Sequence, residues 1–107
     1  MINYSVFKRI YYSGDTNLFR GGISAFQIKV RAFFNEKDIK DSLFVFIGKS
    51  FKQIKLYYET DEGTWLTTYR LRKGRFKAPS LEETKKITIE QLKWILERFD
   101  FVESKRI

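Results

Sequence analysis

The N-terminal third of the chain changes from strand-like to helix-like spacing of its hydrophobic residues. Residues 3–12 are rich in Tyr, Val, Phe and Ile, which predicts a β-strand. The polar stretch 13–16 then supplies a turn and, at Asp15 or Thr16, a helix N-cap. Apolar side chains next recur every three or four positions, at Phe19, Ile23, Phe26, Val30 and Phe33. This spacing forms one face of a helix, so we predict a helix over 16–34 that ends at the polar residues behind it.

The middle of the chain has the pattern of an antiparallel sheet. The continuous apolar run Leu43–Ile47 is typical of a central strand, and strict alternation over 53–58 predicts the next strand. The tight-turn sequence TDEG follows at Thr60–Gly63, where the glycine can adopt a left-handed conformation. Two further strands are predicted at 64–72 and 75–79, joined by a turn at residues 73–74.

The C-terminal part contains a clear helix start. Thr88 and Gln91 have the spacing of a capping box, in which each side chain accepts a hydrogen bond from the other residue's backbone N–H. Apolar residues then line one face as far as Phe99, which predicts a helix over 88–99. Together these elements predict an α+β fold. We expect a mainly antiparallel sheet of about five strands with two helices packed on it, in a single domain spanning residues 1–107.

The residue types that are missing exclude several kinds of chemistry. The 107 residues include no Cys and no His, which excludes disulfides, thiolate or imidazole metal ligands, and Cys–His or Ser–His catalytic pairs. The 13 acidic residues lie mostly at turns and helix starts, whereas a metal-dependent nuclease needs clustered carboxylates. We therefore interpret the chain as non-enzymatic, with no metal, cofactor or small-molecule substrate. No apolar run approaches the about 20 residues that span a bilayer, and we find no signal peptide, so we expect a cytoplasmic protein without a membrane partner.

The net charge of +8 is concentrated in the middle of the sequence. Residues 1–48 carry seven cations and four anions, residues 49–79 carry eight and three, and residues 80–107 carry six of each. The middle segment alone therefore contributes +5. A basic excess favours nucleic acid or another anionic surface as partner, although many proteins are basic only for solubility. Charge by itself leaves both interpretations open.

The register of the predicted hairpins places the cations of this segment on one face. With the turn at Thr60–Gly63, the apolar cross-strand pairs are Tyr58–Trp65, Leu56–Thr67, Ile54–Tyr69, Leu71–Phe76 and Tyr69–Ala78. The opposite face then carries Lys55, Tyr57, Leu66, Thr68, Arg70, Arg72, Arg75 and Lys77.

Like charges would face one another across this predicted ladder, Arg72 against Arg75 and Arg70 against Lys77. Such pairs destabilise a sheet by up to roughly 1 kcal/mol each. Phosphate groups would convert the repulsion into charge-assisted hydrogen bonds, and Tyr57 beside the cations could stack on a base or sugar. The alternative is a solvated hairpin in a basic protein.

The same residues resemble a known family. The pieces that match are LFVF at 43–46, KLYY at 55–58, Gly63 followed by Trp65 and Leu66, and RLRKGRF at 70–76 with Pro79 behind it. They resemble the Orf-two-like (TnpB) accessory protein encoded beside the transposase in insertion sequences of the sixty-six type. The family's N-terminal signature is matched here by Thr16, Arg20 and Gly21, whereas Asn17 and Phe19 depart from it. The closing helix also matches, so the resemblance covers roughly residues 8–101.

The resemblance implies a part in bacterial transposition, through DNA or the transposase, with the catalytic carboxylates in the separate transposase chain. We therefore predict a non-catalytic accessory protein that binds DNA. The residues expected to contact phosphates are Arg70, Arg72, Lys73, Arg75 and Lys77, with Lys55 and Arg20 as secondary candidates. The competing hypothesis is an adaptor that docks on the transposase through aromatics such as Tyr57, Trp94 or Phe51, without contacting DNA.

Overall fold

The computed structural model describes residues 4–15, 19–78 and 84–97, which form a five-stranded sheet with helices. The strands are β1 (Arg9–Ser13), β2 (Ser42–Ile47), β3 (Gln53–Thr60), β4 (Gly63–Arg70) and β5 (Lys85–Ile87). The helices are α1 (Ile23–Phe33), the one-turn α2 (Glu36–Ile39) and α3 (Ile89–Leu96), with a 3₁₀ turn at Tyr4–Val6. The predicted α+β class is confirmed.

The sheet has the strand order β4-β3-β2-β1-β5 and is antiparallel except at one pair. The exception is β1 and β2, which run parallel. Parallel neighbours need a crossover, and here α1 and α2 provide it. β2 lies at the centre and is buried at all six positions, as its continuous apolar sequence predicts.

The two longer helices cover opposite faces of the sheet. Successive residues of a strand point to opposite faces, so β2 supplies Leu43 and Val45 to one core and Phe44 and Phe46 to the other. α3 covers the first face with Leu92 and Ile95. α1 covers the second with Phe26 and Val30, against a layer of Phe and Tyr rings. The central strand β2 is therefore buried on both faces.

The hairpin register is confirmed along the whole of β3 and β4. Tyr58 pairs with Trp65, Leu56 with Thr67 and Ile54 with Tyr69. The turn closes at Thr60 and Gly63, where the Thr60 hydroxyl accepts the backbone N–H groups of Glu62 and Gly63, each at 3.2 Å. These bonds join close sequence neighbours, which explains why a local pattern predicted the turn.

Two helix starts differ in how well the sequence predicted them. The capping box at α3 is confirmed, with Gln91 N–H donating to Thr88 at 3.0 Å and Thr88 N–H to Gln91 at 2.8 Å. α1 begins at Ile23 rather than near residue 16, because Gly21 has φ +102° and Gly22 is extended. Neither conformation continues a helix. Thr16 and Asn17, like Phe99 at the other helix, lie outside the described residues.

Two further expectations for the first half are wrong in extent. β1 begins only at Arg9, because Tyr4–Val6 forms a 3₁₀ turn instead of extended backbone. The polar segment expected only to end the helix instead forms α2. Its start is capped by the Asn35 side chain, which accepts the Asp38 N–H at 2.8 Å.

The second predicted hairpin does not form. Residues 71–78 contain no strand, and β4 pairs only with β3 among the described residues. The backbone of this segment turns instead to the β2–β3 loop: Leu71 N–H donates to the Lys52 carbonyl at 2.8 Å and Phe76 N–H to the Phe51 carbonyl at 2.6 Å. Pro79, predicted to end the missing strand, lies outside the described residues.

Candidate nucleic-acid interface

The basic stretch after β4 is held at both of its ends by buried side chains. Leu71 and Phe76 are 9% and 2% exposed and belong to the α3-side core. Phe76 also contacts the Tyr69 ring edge to face, with centroids 5.5 Å apart. Between these anchors the chain bends at Gly74, whose φ of +76° favours glycine. Four exposed residues are therefore displayed from a bend that both ends fix in place.

The cations of this bend lie at one end of the hairpin rather than on a flat face. Arg70 is the last residue of β4, and Arg72, Lys73, Arg75 and Lys77 follow it, all exposed. The predicted cross-ladder pairs Arg72–Arg75 and Arg70–Lys77 are wrong, since no second strand exists to carry them. The five residues stay at this end of the hairpin because both ends of the bend bond to the β2–β3 loop, and not because a ladder aligns them.

The β2–β3 loop adds two cations that the sequence did not predict as site residues. Lys49 and Lys52 are exposed, and this loop is the one whose carbonyls accept the Leu71 and Phe76 N–H groups. Arg75 reinforces the contact, with Nε donating to the Ser50 carbonyl at 3.2 Å. We call the combined surface the basic corner: Lys49, Lys52, Arg70, Arg72, Lys73, Arg75 and Lys77. The only possible sequence signal was the pair of turn lysines in GKSFK.

Neither segment of the basic corner contains an acidic residue. Between residues 48 and 78 the only acids are Glu59, Asp61 and Glu62, all at the other end of the hairpin. Seven register steps separate the two ends, about 23 Å at 3.3 Å per residue. That distance exceeds the Debye length of about 8 Å at physiological salt, so these carboxylates do little to offset the cations. Within the two segments of the basic corner, a polyanion would meet cations and no carboxylate.

Tyr57, predicted to stack on a base, is fully buried and cannot do so. It lies on the face that α1 covers, with its ring near that of Phe26 at 6.5 Å between centroids. Its hydroxyl donates to the Glu59 carboxylate. Burial, helped by this hydrogen bond, raises the pKa of Tyr57 above its ordinary value. The predicted stacking role was wrong because the sequence pattern did not show that α1 covers this face of the sheet.

Lys55 is committed to an internal contact rather than to the basic corner. Its ammonium lies 4.7 Å from the Phe19 ring centroid and 5.2 Å from that of Phe26. It also donates to the carbonyls of Gly21 at 3.2 Å and Phe19 at 3.4 Å. Lys55 therefore fixes the chain that enters α1, and we remove it from the candidate DNA contacts.

Arg20 is linked to the β2–β3 loop through its neighbour Phe19. It is exposed and sits between the two residues whose carbonyls accept the Lys55 ammonium. The neighbouring Phe19 ring packs over Gly48, where an added Cβ would lie 3.2 Å from it. Gly48 opens the β2–β3 loop, so Arg20 remains a secondary candidate on structural grounds.

Glu59 is an acidic residue of the hairpin whose carboxylate holds parts of the fold together. Glu59 receives two hydrogen bonds from Arg31 of α1, at 2.7 and 3.3 Å, and one from Tyr57. Burial alone would raise the pKa of the Glu59 carboxyl, but these donors outweigh it and the pKa is lowered. Glu59 thus ties α1 to β3. No group of three or more His, Cys, Asp or Glu suited to a metal ion occurs in the part of the chain that the structure describes.

The aromatics proposed for an adaptor surface are mostly covered. Tyr57 is buried, Phe51 is packed against the α3-side core, and Trp94 is half-buried. Of the rings that the structure describes, the exposed ones are instead Phe33 of α1, at 69% exposure, and Trp65 and Tyr69 of β4, at 54% and 46%. Among the described residues, no helix is long and apolar enough to cross a membrane.

Comparison with known proteins supports the resemblance seen in the sequence. The family model described as IS66 Orf2 like protein matches residues 8–106. A relative from Sinorhizobium fredii, "Uncharacterized protein y4hO", is 31% identical over 90 residues, which cover 83% of this chain and 77% of the relative. No solved structure matches the chain. The chain therefore belongs to the IS66 Orf2-like family, whose role is that of an accessory protein associated with insertion-sequence transposition.

Proposed function

We propose that this transposition accessory protein binds the phosphate backbone of DNA through its basic corner, without catalysing a reaction. The observation that supports the proposal most directly is the joining of two acid-free basic loops, 48–52 and 71–77, by backbone hydrogen bonds at one end of the hairpin. Fixing cations near one another costs free energy, because they repel. Phosphate oxygens would relieve that repulsion with charge-assisted hydrogen bonds.

The geometry favours binding that is independent of DNA sequence. The cations lie on loops and not on a helix that could enter the major groove, where bidentate contacts distinguish the bases. Phosphate contacts position a protein on the duplex but carry no direct sequence information. We therefore expect similar affinity for unrelated duplexes of equal length.

The test is a DNA-binding titration at several salt concentrations. With four or five phosphate contacts, a plot of the logarithm of DNA affinity against the logarithm of salt concentration should have a slope of about −4. Arg72→Glu/Arg75→Glu should reduce both the affinity and the steepness of the slope. The matched control is Lys85→Glu/Lys86→Glu, an equal charge change at exposed positions of β5 on the opposite edge of the sheet. A flat salt response, or equal losses in both variants, would contradict the proposal.

The adaptor hypothesis gives a different outcome in the same experiment. If the protein acts only by docking on the transposase of its element, Arg72→Glu/Arg75→Glu should leave transposase capture unchanged, and wild type should not bind DNA. We favour DNA because Tyr57, Phe51 and Trp94, the rings named for docking, are buried or partly covered.

A further inference from the structure

Among the described residues, the outer edge of β4 is an unpaired strand edge eight residues long. β4 has eight residues and lies at the end of the strand order, whereas β5 at the opposite edge has three. Its sequence, GTWLTTYR, contains no proline and a single charge, at Arg70. Native proteins usually protect such edges with charges, proline, bulges or short strands, because exposed edges pair with other chains. β4 has little of this protection.

The hydrogen-bonding pattern shows which backbone groups face outward. Leu71 donates its N–H to Lys52, on the β3 side of the hairpin. Orientation alternates along an antiparallel strand, so the N–H and C=O groups of Tyr69, Thr67 and Trp65 also point to β3. The groups of Thr64, Leu66, Thr68 and Arg70 therefore point to the open edge. Within the described residues no strand pairs with them.

The side chains along this edge favour a partner that is itself an aromatic-rich strand. Trp65 and Tyr69 lie on the same face of β4 and are about half exposed. Trp65 stacks against Tyr58 with ring centroids 5.8 Å apart, and 54% of its surface stays exposed. A strand added beyond β4 would cover the outer sides of both rings, since cross-strand neighbours lie within reach of aromatic side chains.

The charges of the hairpin identify the partner strand. The turn end carries Asp61 and Glu62, and the other end carries Arg70 and the residues after it. An antiparallel copy of β4 would bring the acidic turn of each chain to the basic end of the other. A two-fold axis at Leu66 would set Glu62 opposite Arg70, and an axis at Thr67 would set it opposite Arg72. Parallel pairing of two β4 strands would instead bring the two acidic turns together and the two basic ends together.

We propose that β4 pairs with β4 of a second copy of this chain, antiparallel, to form a closed two-fold dimer with a continuous ten-stranded sheet. The contact uses the outward backbone groups of Thr64, Leu66 and Thr68, the rings of Trp65 and Tyr69, and the complementary hairpin ends. It goes beyond DNA binding and does not depend on it. Lys49 and Lys52 lie in the β2–β3 loop and not on β4, so a dimer would present two such loops.

The first experiment measures molar mass by sedimentation velocity and light scattering across a wide concentration range. Wild type should rise to twice the monomer mass. Thr68→Pro removes an outward N–H and leaves the β3 ladder intact, so it should remain monomeric. Thr68→Ala, which keeps the N–H, should dimerise like wild type. A wild type that stays monomeric at its solubility limit overturns the proposal, as does dimerisation of a natively folded Thr68→Pro.

A charge swap keeps the proposal falsifiable if the proline variant fails to fold. Asp61→Lys/Glu62→Lys lies in an exposed turn and should weaken dimerisation roughly tenfold, since rim ion pairs are individually modest. Adding Arg70→Glu/Arg72→Glu to that variant should restore the wild-type dissociation constant. Loss of dimerisation without restoration by the double swap would overturn the antiparallel arrangement.

Discussion

The two ends of the β3–β4 hairpin differ in charge and in what holds them. The turn at Thr60–Gly63 is acidic and is closed by hydrogen bonds between residues at most three positions apart. The basic corner at the other end joins two loops that lie about twenty residues apart in sequence, through buried anchors and main-chain bonds. The turn is therefore a local structure, whereas the basic corner exists only when the core has formed. Its charged surface depends on core packing although no cation is itself buried.

The largest expected effect comes from removing the anchor of the basic corner. Phe76→Ala should lower the free energy of unfolding by about 3–5 kcal/mol, because it empties a site where the ring is 2% exposed. It should also weaken DNA binding, since the bend loses one of its two fixed ends. Urea denaturation measures the first effect, and a DNA titration on the folded protein measures the second.

Phe76→Leu is the matched control for that variant. It keeps an apolar side chain in the core, so it should cost much less stability and leave DNA affinity close to wild type. If Phe76→Ala lowers the free energy of unfolding by less than about 1 kcal/mol, this ring does not anchor residues 71–77. The proposed difference between the core-dependent basic corner and the local turn would then be wrong.

The next largest effect is expected from Lys49 and Lys52, which lie beside the other cations of the basic corner only when the chain is folded. Lys49→Glu/Lys52→Glu should reduce DNA affinity roughly tenfold or more and make the salt slope shallower by about 2, because each lost phosphate contact removes about 0.9. The control Lys85→Glu/Lys86→Glu has the same change in net charge on β5. Equal affinity losses would show that net charge, and not the basic corner, determines binding.

The same contrast explains what the sequence could and could not predict. The hairpin register, the α3 capping box and the central position of β2 depend on short periodic patterns, and all were predicted correctly. The strand expected at 75–79 was wrong because alternation of apolar residues cannot say which neighbour a backbone pairs with. The N–H groups of Leu71 and Phe76 donate instead to carbonyls of the β2–β3 loop, which the sequence pattern did not connect to them.

The candidate site was predictable in composition but not in arrangement. Charge counting located the middle segment, which supplies all seven cations of the basic corner, and five of these seven were named as site residues from the sequence. The stacking role of Tyr57 was wrong, and the contacts of Lys55 with α1 were not predicted, because strand register shows which residues share a face but not which faces a helix covers. α1 covers that face and takes up both side chains. Lys49 and Lys52 were missed because their proximity is purely tertiary.

A smaller effect is the pH dependence of stability that Glu59 contributes through its bonds to α1 and Tyr57. The Glu59 carboxyl has a pKa below its ordinary value, so its bonds to Arg31 and Tyr57 stabilise the folded chain above the unfolded-state pKa of about 4.3. That contribution is lost as pH falls through the lowered folded value. Glu59→Gln does not titrate, so its stability deficit should be largest at neutral pH and shrink in acid. Chemical denaturation at several pH values measures this, and a deficit that is constant with pH would contradict the assignment.

The smallest effect should come from the turn itself. Thr60→Ala removes the hydroxyl that accepts the Glu62 and Gly63 N–H groups, both exposed, so water replaces it and the cost should be about 0.5–1 kcal/mol. DNA affinity and salt slope should not change, because the damage is local and the basic corner lies about 23 Å away along the hairpin. Thr67→Ala is a control at an exposed position of the same hairpin that leaves the turn hydroxyl in place. Weaker DNA binding by Thr60→Ala, at native fold, would mean that the two ends are coupled and that the basic corner is not held by its own anchors.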